Sequence, residues 1–374
     1  MRHLSLIAAL LLAACDRGED LLRLPPGFPA PLVPEDNPLT AEKAALGRRL
    51  FYDVRLSANG TQACATCHQQ RYAFSDGRAQ GLGSTGQLHT RGPMALHNVA
   101  YATTLTWANP LLQRLEDQAL VPLFGDAPVE LGNRGAEDAL LGRLRADAAY
   151  PALFAAAFPA DGEALSLSNI GRALASFQRT LISGRSPYDR LVYGGEQDAL
   201  DASARRGMDL FFGEKLECFH CHGGFNFSDA TLYAGGSAAA GSPGKFHNTG
   251  LYNLGSDGAY PAGNQGVYEI SMDPADRGRF RAPSLRNIAV TAPYMHDGSL
   301  ATLEDVLTLH YARGGRLIES GPLAGDGAKN PRKSVLVRGF SMTPDERDDI
   351  LAFLRSLTDE EFLKDPRFSD PLGP

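Results

Sequence analysis

The chain is poor in cysteine and tryptophan, in blocks of positive charge and in long apolar runs. It has five cysteines and one tryptophan in 374 residues. Lysine and arginine are not gathered into a block and the formal net charge is −7, so a nucleic-acid-binding surface is not expected. Beyond the N-terminus no apolar run is long enough to span a bilayer as a helix. Few segments alternate as strands do, which favours a mainly α-helical fold.

The cysteines that are present are concentrated in two copies of Cys-x-x-Cys-His. The copies comprise Cys64, Cys67 and His68 in the first and Cys218, Cys221 and His222 in the second. Paired Cys-x-x-Cys sequences occur in zinc sites, in redox disulfides and in c-type haem attachment, but only haem requires a histidine directly after the second cysteine. The thiols add to the porphyrin vinyl groups and the histidine binds the iron axially. We therefore predict two covalently bound haem c groups, with zinc and a redox pair as the alternatives.

Cys15 stands apart from these motifs, after a short N-terminal apolar run. Arg2 and His3 form a basic tip, and the apolar run that follows covers residues 4–13, which is too short for a stable transmembrane helix. The run ends in Leu-Ala-Ala-Cys, which resembles the lipobox of bacterial lipoproteins; an ordinary signal peptide is the alternative. We predict that residues 1–14 are removed and that a lipid on Cys15 anchors the protein at the periplasmic face of a bacterial membrane.

The rest of the chain divides into a proline-rich segment and two similar halves. Residues 15–38 show no period and are interpreted as a lipidated tether followed by an extended segment. A helix ending in Leu-Phe-aromatic precedes each haem motif, at "GRRLFYD" and at "ARRGMDLFFGEK", so one small haem domain occurs twice. We predict a mainly α protein of two cytochrome c-like haem domains, residues 39–192 and 193–374, packed around an inter-haem interface.

Apolar periodicity and capping sequences place further helices. Apolar residues recur at helical spacing over residues 137–147 and 167–183. Thr40, Thr302 and Thr343 stand where a helix N-cap is expected, and the last of these begins a capping box with proline at the first helical position. These elements add to the helical content of both halves.

Longer stretches carry a resemblance to a known family. The segments "LGRRLFYDVRLSANGTQACATCH", "AFSDGR" and "FRAPSLRNIAVTAPYMHDGSLATLEDV" resemble the bacterial dihaem cytochrome c peroxidase/MauG superfamily over about residues 40–358. The segments "TLTWANPLL", "QALVPLFGDAPVELG" and "FHNTGLYNL" resemble its MauG-like subgroup of methanobactin-associated, MbnH-type dihaem enzymes. The resemblance implies a haem-dependent oxidoreductase in which one haem takes up peroxide and the other stores an oxidising equivalent. The subgroup implies oxidation of a tryptophan on a separate protein.

The resemblance implies that the haem of the N-terminal domain, bound by His68, is the peroxide-reactive one. In other peroxidases of the superfamily a histidine after Ser-Thr-Gly covers the first iron until reduction releases it. Here Gln87 follows Gly86, and the nearest histidine is His89. We therefore expect an open, five-coordinate iron, with His89 as a sixth ligand in the alternative interpretation.

The same resemblance assigns proton transfer at that haem. Members of the family use a glutamine, a proline four residues later and then a glutamate, and Gln118, Pro122 and Glu130 match these positions. A carboxyl group there would accept the first proton of peroxide and deliver it to the leaving oxygen. Asp126 is the competing acid, and a solvated loop carboxylate is the other interpretation of Glu130.

Trp107 is the single tryptophan, and the resemblance places it between the two haems. In that position its ring would couple the two irons and let two oxidising equivalents spread over both haems. The alternative is an aromatic residue of the core, the usual place for a tryptophan.

The second haem, in the C-terminal domain, is expected to receive support from a second set of residues. The resemblance implies that His296 and the arginines Arg279, Arg281 and Arg286 contact its propionates or pack against the porphyrin.

The distal ligand of the second iron depends on one residue of alignment. In relatives the distal ligand follows the histidine of "HDG" at a fixed distance along the chain, and the same distance reaches His310 here. If "EDVLTLHYARGG" contains one inserted residue, the ligand position moves to Tyr311. We predict Tyr311, with the helix absorbing the insertion near Leu309. His310 is the rival, and Met295 and Met342 are further candidates.

A calcium ion between the haems is a further expectation from the resemblance. Thr291 and Pro293 match positions whose carbonyl groups bind calcium in relatives. The asparagine ligand of the family falls at Gly92 here, and Asn98 is the nearby substitute.

Two enzymatic functions and one carrier function follow. The first is peroxide-driven oxidation of a secreted or periplasmic partner protein at tryptophan. The second is reduction of hydrogen peroxide with electrons from a small c-type cytochrome, and the third is a non-catalytic electron carrier. The helix that carries His310 and Tyr311 has no methionine for the second iron, which favours the first function. The surface tryptophan that some relatives place before the second haem motif is Leu216 here.

Overall fold

The computed structural model describes residues 21–236 and 245–373, which are mainly helical. The predicted signal peptide and Cys15 lie outside the described residues. The α-helices are α1 (Ala41–Tyr52), α2 (Cys64–Cys67), α3 (Leu115–Gln118), α4 (Val121–Phe124), α5 (Glu137–Arg145), α6 (Tyr150–Ala157), α7 (Leu167–Arg179), α8 (Pro187–Val192), α9 (Ala202–Phe212), α10 (Phe219–His222), α11 (Tyr268–Ser271), α12 (Leu303–Asp305) and α13 (Pro344–Arg355). A π-helix, Val306–Tyr311, continues α12.

Strands are short and form two antiparallel pairs. The pairs are β1 (Phe246–His247) with β2 (Phe280–Arg281) and β3 (Leu317–Ile318) with β4 (Gly325–Asp326). In the first pair His247 lies opposite Phe280. Within residues 21–236 and 245–373, no helix has the length and apolar character needed to cross a bilayer.

Helices α1 and α7 form the framework of the N-terminal domain. Thr40 caps α1 and Ser166 caps α7, each by accepting a backbone N–H from the first turn. The two helices touch at Gly47, where an added Cβ would overlap the carbonyl oxygen of Ala173. Glycine is needed at this position because the backbones themselves are in contact.

Helices α9 and α13 repeat this crossing in the C-terminal domain. Asp201 caps α9, and Thr343 forms the expected capping box with Glu346 at the start of α13. Gly207 faces the carbonyl oxygen of Asp349 as Gly47 faces its partner helix. The predicted mainly α fold with one domain framework repeated twice is therefore confirmed.

Gly47→Ala is expected to lower the free energy of unfolding by roughly 1–3 kcal/mol, because the methyl group would push α1 away from α7. Gly142 in α5 is the matched control, since an added Cβ there meets no atom within 4 Å. Gly142→Ala should be neutral or stabilising by roughly 0.5–1 kcal/mol. Urea unfolding of the haem-loaded proteins measures both changes. Equal effects of the two substitutions would contradict a backbone contact at Gly47.

Each framework encloses its own aromatic core. The rings involved are Phe51, Phe74 and Phe177 in the first core and Phe211, Phe227 and Phe353 in the second. In both cores the rings meet edge to face or tilted, with centroids 5.1–6.3 Å apart among the closest pairs. Each core lies directly beneath a haem motif.

Two segments depart from the predicted ranges. Leu22 and Phe28 are buried in a cluster of their own, so the chain from residue 21 onward is packed against the protein rather than a loose tether. At the other end Phe362 and Phe368 are buried in the first core, and the Tyr52 hydroxyl donates to the carbonyl oxygen of Phe368 at 2.6 Å. The end of the chain thus returns to the N-terminal domain, because its aromatic rings cover that core.

Two asparagines join the domains at Ser183. Asn98 and Asn287 both adopt positive φ, at 55° and 56°. The Asn98 amide donates to the Ser183 carbonyl at 2.9 Å, and the Asn287 amide donates to the Ser183 hydroxyl at 2.9 Å. The hydroxyl in turn donates to the Asp359 carboxylate at 3.1 Å. This buried junction holds together the segments around Asn98 and Asn287, each of which follows a haem motif in the chain.

Candidate dihaem active site

The histidines of the two motifs are held in the same way. His68 follows α2, and its Nδ1 lies 2.7 Å from the carbonyl oxygen of Phe74. His222 ends α10, and its Nδ1 lies 3.1 Å from the carbonyl oxygen of Phe227. Nδ1–H therefore donates to a carbonyl in each case, which leaves Nε2 as the iron-binding atom. Burial lowers the pKa of both rings, so the neutral imidazole that binds iron is favoured.

Within the described residues, the four cysteines of the motifs have free thiols and do not gather into one cluster. None of Cys64, Cys67, Cys218 and Cys221 is disulfide-bonded. Among the described residues, no cluster of potential metal ligands contains more than one of these sulfur atoms. Burial raises the pKa of the Cys64 and Cys218 thiols to about 12, as expected for sulfur atoms that face apolar surroundings. The described geometry therefore offers no four-cysteine zinc site.

A large cavity lies against the second motif. Residues that line it include Trp107, Cys218, Cys221, His222, His296 and Tyr311. Several polar atoms of its wall are buried without a hydrogen-bond partner in the described parts of the chain: both ring nitrogens of His97, Nε of Arg281 and Nε2 of His296. Such atoms require partners. A haem with its propionate groups would supply them, so these residues fit the cofactor that the motif predicts.

Arg281 carries the clearest signal of an anionic group in this cavity, and His296 lies in the same cavity as a neutral ring. Burial lowers the pKa of Arg281 to about 10, because no carboxylate within the described residues pairs with it. The His296 ring stacks on Phe280 at a centroid distance of 3.7 Å, and burial lowers its pKa to about 4. Both side chains line the cavity, and their contact with the haem stays a prediction.

The other two arginines lie elsewhere, which corrects the prediction. The Arg279 guanidinium is 3.1 Å from Asp276 and faces outside the cavity. Arg286 is fully buried and binds the Asp189 carboxylate through two hydrogen bonds of 2.8 Å. An arginine this deeply buried needs a carboxylate partner, so Arg286 stabilises the fold beneath the site instead of contacting the haem.

The π-helix decides which side chain of its last turn faces the cavity. A π-turn contains one residue more than an α-turn, which is how a helix accommodates an insertion. Tyr311 lines the cavity, and burial together with the nearby Cys221 and Cys218 raises its pKa. His310 is completely buried on another side, with no hydrogen-bond partner in the described structure for either ring nitrogen.

Two methionines were further candidates for the same iron. Met295 lines the cavity, whereas Met342 packs at the edge of the second core. Tyr311 and Met295 are therefore the candidate ligands that the structure brings to the cavity, and the ligand itself stays a prediction.

Trp107 is held by hydrogen bonds to Gly92 and Arg281. Its indole Nε1 donates to the carbonyl oxygen of Gly92 at 2.9 Å, and Gly92 follows the first haem motif in the chain. Its own carbonyl oxygen accepts from the Arg281 N–H at 2.8 Å, and its ring lines the second cavity. The ring is thus half-buried and fixed from both sides, although its coupling role remains a prediction.

The proposed proton-transfer residues lie along consecutive short elements. Gln118 ends α3, Pro122 lies in α4, and the Leu131 N–H donates to the Pro122 carbonyl at 2.9 Å, next to Glu130. Burial alone raises the pKa of Glu130 to about 7, and its charge in turn raises the pKa of the Cys64 thiol. Glu130 is therefore a half-buried carboxyl group on the side of the first haem motif, and its partial burial favours the protonated form.

Asp126, the competing acid, has a different environment. Its carboxylate is exposed and forms an ion pair with Arg134, which is also exposed. An exposed ion pair of this kind is surrounded by water and lies away from the buried side of the segment. The geometry favours Glu130 over Asp126 and argues against a solvated loop carboxylate at position 130.

The loop that follows the first motif is fastened to the Glu130 segment. The Gln87 side-chain oxygen accepts from the Val129 N–H at 2.8 Å, and the Ser84 N–H donates to the Glu130 carbonyl at 2.8 Å. His89 is half-buried, and its backbone N–H donates to the Gly81 carbonyl at 2.8 Å. The residue that replaces the covering histidine of other peroxidases therefore holds the backbone beside Glu130.

The residues expected to bind calcium are not all available as ligands in the structure. Thr291 and Pro293 line the second cavity, but the carbonyl oxygen of Gly92 accepts from Trp107. The Asn98 side-chain oxygen accepts from the Ser183 N–H at 2.8 Å. Asn98 is therefore engaged in the domain junction, which corrects its assignment as a substitute ligand, and calcium stays a prediction.

Sequence reasoning overlooked two features of the site. The first is His97, which corresponds to Arg286 in the internal repeat because each residue directly precedes a junction asparagine. This correspondence was the sequence signal that pointed to His97. His247 lies 2.8 Å from the Asp229 carboxylate and close to Cys221, through a contact between distant loops that no local pattern indicates.

Comparison with known proteins decides the family. A family model described as di-haem cytochrome c peroxidase matches residues 41–197. The methylamine utilization protein MauG of Methylorubrum extorquens is 38% identical over 332 residues, which cover 87% of this chain and 81% of that protein. The chain belongs to the dihaem cytochrome c peroxidase/MauG family.

Further relatives in this family agree with the fold. The cytochrome-c peroxidase IdrP1 of Pseudomonas sp. strain SCT is 35% identical over 371 residues, covering 96% of this chain and 92% of that protein. A crystal structure of a MauG-like protein associated with microbial copper homeostasis has a TM-score of 0.90 and 50% identity, covering 94% of this chain and 99% of that one.

Membership confirms the enzyme class and the coarse chemistry. The protein is a haem-dependent oxidoreductase, and its relatives imply two c-type haems and hydrogen peroxide as the oxidant. They also imply either a partner protein or a small cytochrome as the second reactant. The predicted two cytochrome c-like domains are confirmed by the fold of the same relatives.

Proposed function

We propose that this protein is an exported, lipid-anchored dihaem enzyme that uses hydrogen peroxide to oxidise a partner protein at tryptophan. The observation that carries the proposal is the cavity position of Tyr311, because an anionic tyrosinate stabilises an oxidised iron more than a neutral ligand does. Both haems are attached covalently, through Cys64 with Cys67 and through Cys218 with Cys221. The haems supply the two-electron reduction of peroxide to water.

Glu130 moves the protons at the first haem. With a pKa of about 7, its side chain exists in both forms near neutral pH. The ionised carboxylate accepts the first proton of peroxide, and the resulting acid donates it to the departing oxygen. Gln118 and Pro122 shape the same face, and the Gln87 bond to the Val129 N–H keeps the segment in place.

Trp107 connects the two haem sites. Its indole bonds to Gly92 on one side and its backbone to Arg281 on the other, which leaves the ring little freedom to move. A ring held in this way reorganises little when charge passes through it. With both haems bound, this ring would let the two sites share oxidising equivalents, and the partner protein would be oxidised at the second site.

The second candidate is a dihaem peroxidase that draws electrons from a small c-type cytochrome. Met295 lines the cavity of the second haem together with Tyr311, and a thioether ligand would suit that function. Relatives that carry the name cytochrome-c peroxidase support it as well. The identity of the distal ligand therefore separates the two candidates.

The proposed function predicts a peroxide-dependent change of mass in the partner. The haem-loaded enzyme is incubated with hydrogen peroxide and with any small secreted protein that a neighbouring gene encodes. Peptides of that protein are then mapped by mass spectrometry. Oxygen addition at a tryptophan is expected, and omission of peroxide is the control. Rapid oxidation of a reduced small cytochrome, with no change in the secreted protein, would favour the second candidate.

The location is tested through Cys15. Cys15→Ser is expected to release active protein into the soluble periplasmic fraction, because the proposed attachment is the lipid alone. Membrane and soluble fractions are compared by haem staining after osmotic release. A variant that stays with the membrane would contradict lipid anchoring at this residue.

A further inference from the structure

A positively charged cleft lies on the surface behind the second haem cavity, with a volume of about 580 Å³. Its basic lining residues are Lys245, His247, Arg279, Arg332 and Lys333. Among the described residues of this lining, Asp276 is the one acid, and it lies 3.1 Å from Arg279. A local excess of positive charge is unusual on a chain whose net charge is −7, and it attracts anionic partners.

Two of the cations, Arg332 and Lys333, are held by carbonyl groups, whereas His247 and Arg279 are paired with the carboxylates of Asp229 and Asp276. The Arg332 guanidinium donates to the carbonyl oxygen of Asp257, and the Lys333 ammonium donates to the carbonyl oxygen of Gly314. A carbonyl group orients a cation but leaves its charge in place. These side chains therefore present positive charge without the entropy cost of ordering them when a partner binds.

His247 separates the cleft from the second haem cavity, because it lines both. It lies in β1, which pairs with β2, and its ring is 2.8 Å from the Asp229 carboxylate. Its ligating nitrogen is within 4.8 Å of the Cys221 sulfur, the atom that would carry a porphyrin vinyl group. One side chain thus stands between the cleft and the porphyrin edge.

We propose that this cleft docks an acidic segment of the partner protein, and the proposal rests on the function proposed above. Charge complementarity selects the occupant, because Lys245, Arg332 and Lys333 remain after His247 is paired with Asp229 and Arg279 with Asp276. Residues 237–244, which precede Lys245, contain no charged side chain and cannot supply the negative charge. Val335, 80% exposed, adds an apolar contact at the cleft.

The test uses the haem-loaded enzyme and a fluorescent peptide of glutamates around one tryptophan. A matched peptide has glutamine in place of every glutamate. The enzyme is expected to bind the acidic peptide at least about tenfold more tightly at low salt, with the preference falling as salt is added. Binding is measured by fluorescence anisotropy.

The double variant Lys245→Glu/Arg332→Glu is expected to lose that preference. Arg145→Glu/Lys364→Glu is the matched control, because it changes the net charge equally at exposed residues outside the cleft lining. Visible haem spectra verify that all three proteins carry both haems. Equal binding of the two peptides, or equal losses in the two double variants, would overturn the docking site.

Oxidation of the peptide is measured separately by mass after peroxide is added. Charge-dependent binding without oxidation supports the docking site and contradicts the proposed function. If oxidation depends neither on the charge of the peptide nor on the Lys245→Glu/Arg332→Glu change, the docking site is contradicted and the proposed function is supported.

Discussion

Glu130→Gln is expected to slow the reaction of the enzyme with hydrogen peroxide by ~10²–10⁴-fold, the usual contribution of a general acid–base group. Glutamine has nearly the same shape but cannot accept the proton of peroxide. Haem content and resting spectra should be almost unchanged, because no hydrogen bond from the Glu130 side chain supports the fold in the described structure. Stopped-flow absorbance after mixing with peroxide measures the rate.

The pH dependence gives a second readout of the same residue. Burial raises the pKa of Glu130 to about 7, so the fraction of ionised carboxylate falls as the pH drops below that value. The rate of the unaltered enzyme should fall with it, and the Glu130→Gln rate should lose this dependence.

Asp126→Asn is the control for the assignment. Asp126 is exposed and paired with Arg134, so its loss should leave the rate within a factor of about three. If Asp126→Asn is the slow variant and Glu130→Gln reacts normally, the proton-transfer role belongs to Asp126.

Tyr311→Phe is expected to abolish the low-spin EPR signal of the second haem and the two-haem oxidised state together. The phenol oxygen is the group that faces the cavity beside Cys218 and Cys221, and phenylalanine cannot replace it as a ligand. EPR spectra at low temperature report the ligand, and absorbance after peroxide addition reports the oxidised state. An unchanged low-spin signal would move the assignment to Met295 or His310.

His310→Ala separates the two neighbouring residues. His310 does not line the cavity, so the low-spin signal should persist in this variant. Loss of a fully buried ring should instead lower the melting temperature, because a cavity is left behind. Loss of the low-spin signal in a stably folded His310→Ala protein would show that His310 is the ligand and that the helix contains no insertion relative to the family.

Much of this site could be predicted from local sequence. The two Cys-x-x-Cys-His motifs place cysteine and histidine within one helical turn, so their chemistry needs no distant contact. Capping sequences at Thr40 and Thr343 likewise act within four residues, and both begin helices as predicted. The internal repeat followed from two similar stretches, and Gly47 and Gly207 show that the repeat extends to the helix crossing.

The sequence by itself therefore determined the haem motifs, the helical class and the repeated domain, because these depend on neighbours in the chain. The tertiary structure decided which side chains meet the site. Tyr311 faces the cavity because a π-turn changes the direction of the side chains that follow it. Glu130 differs from Asp126 because burial depends on segments far away in the chain. Arg279 lies outside the cavity, where it is paired with its chain neighbour Asp276. Phe368 lies in the first core because long-range packing, which no local pattern encodes, places it there.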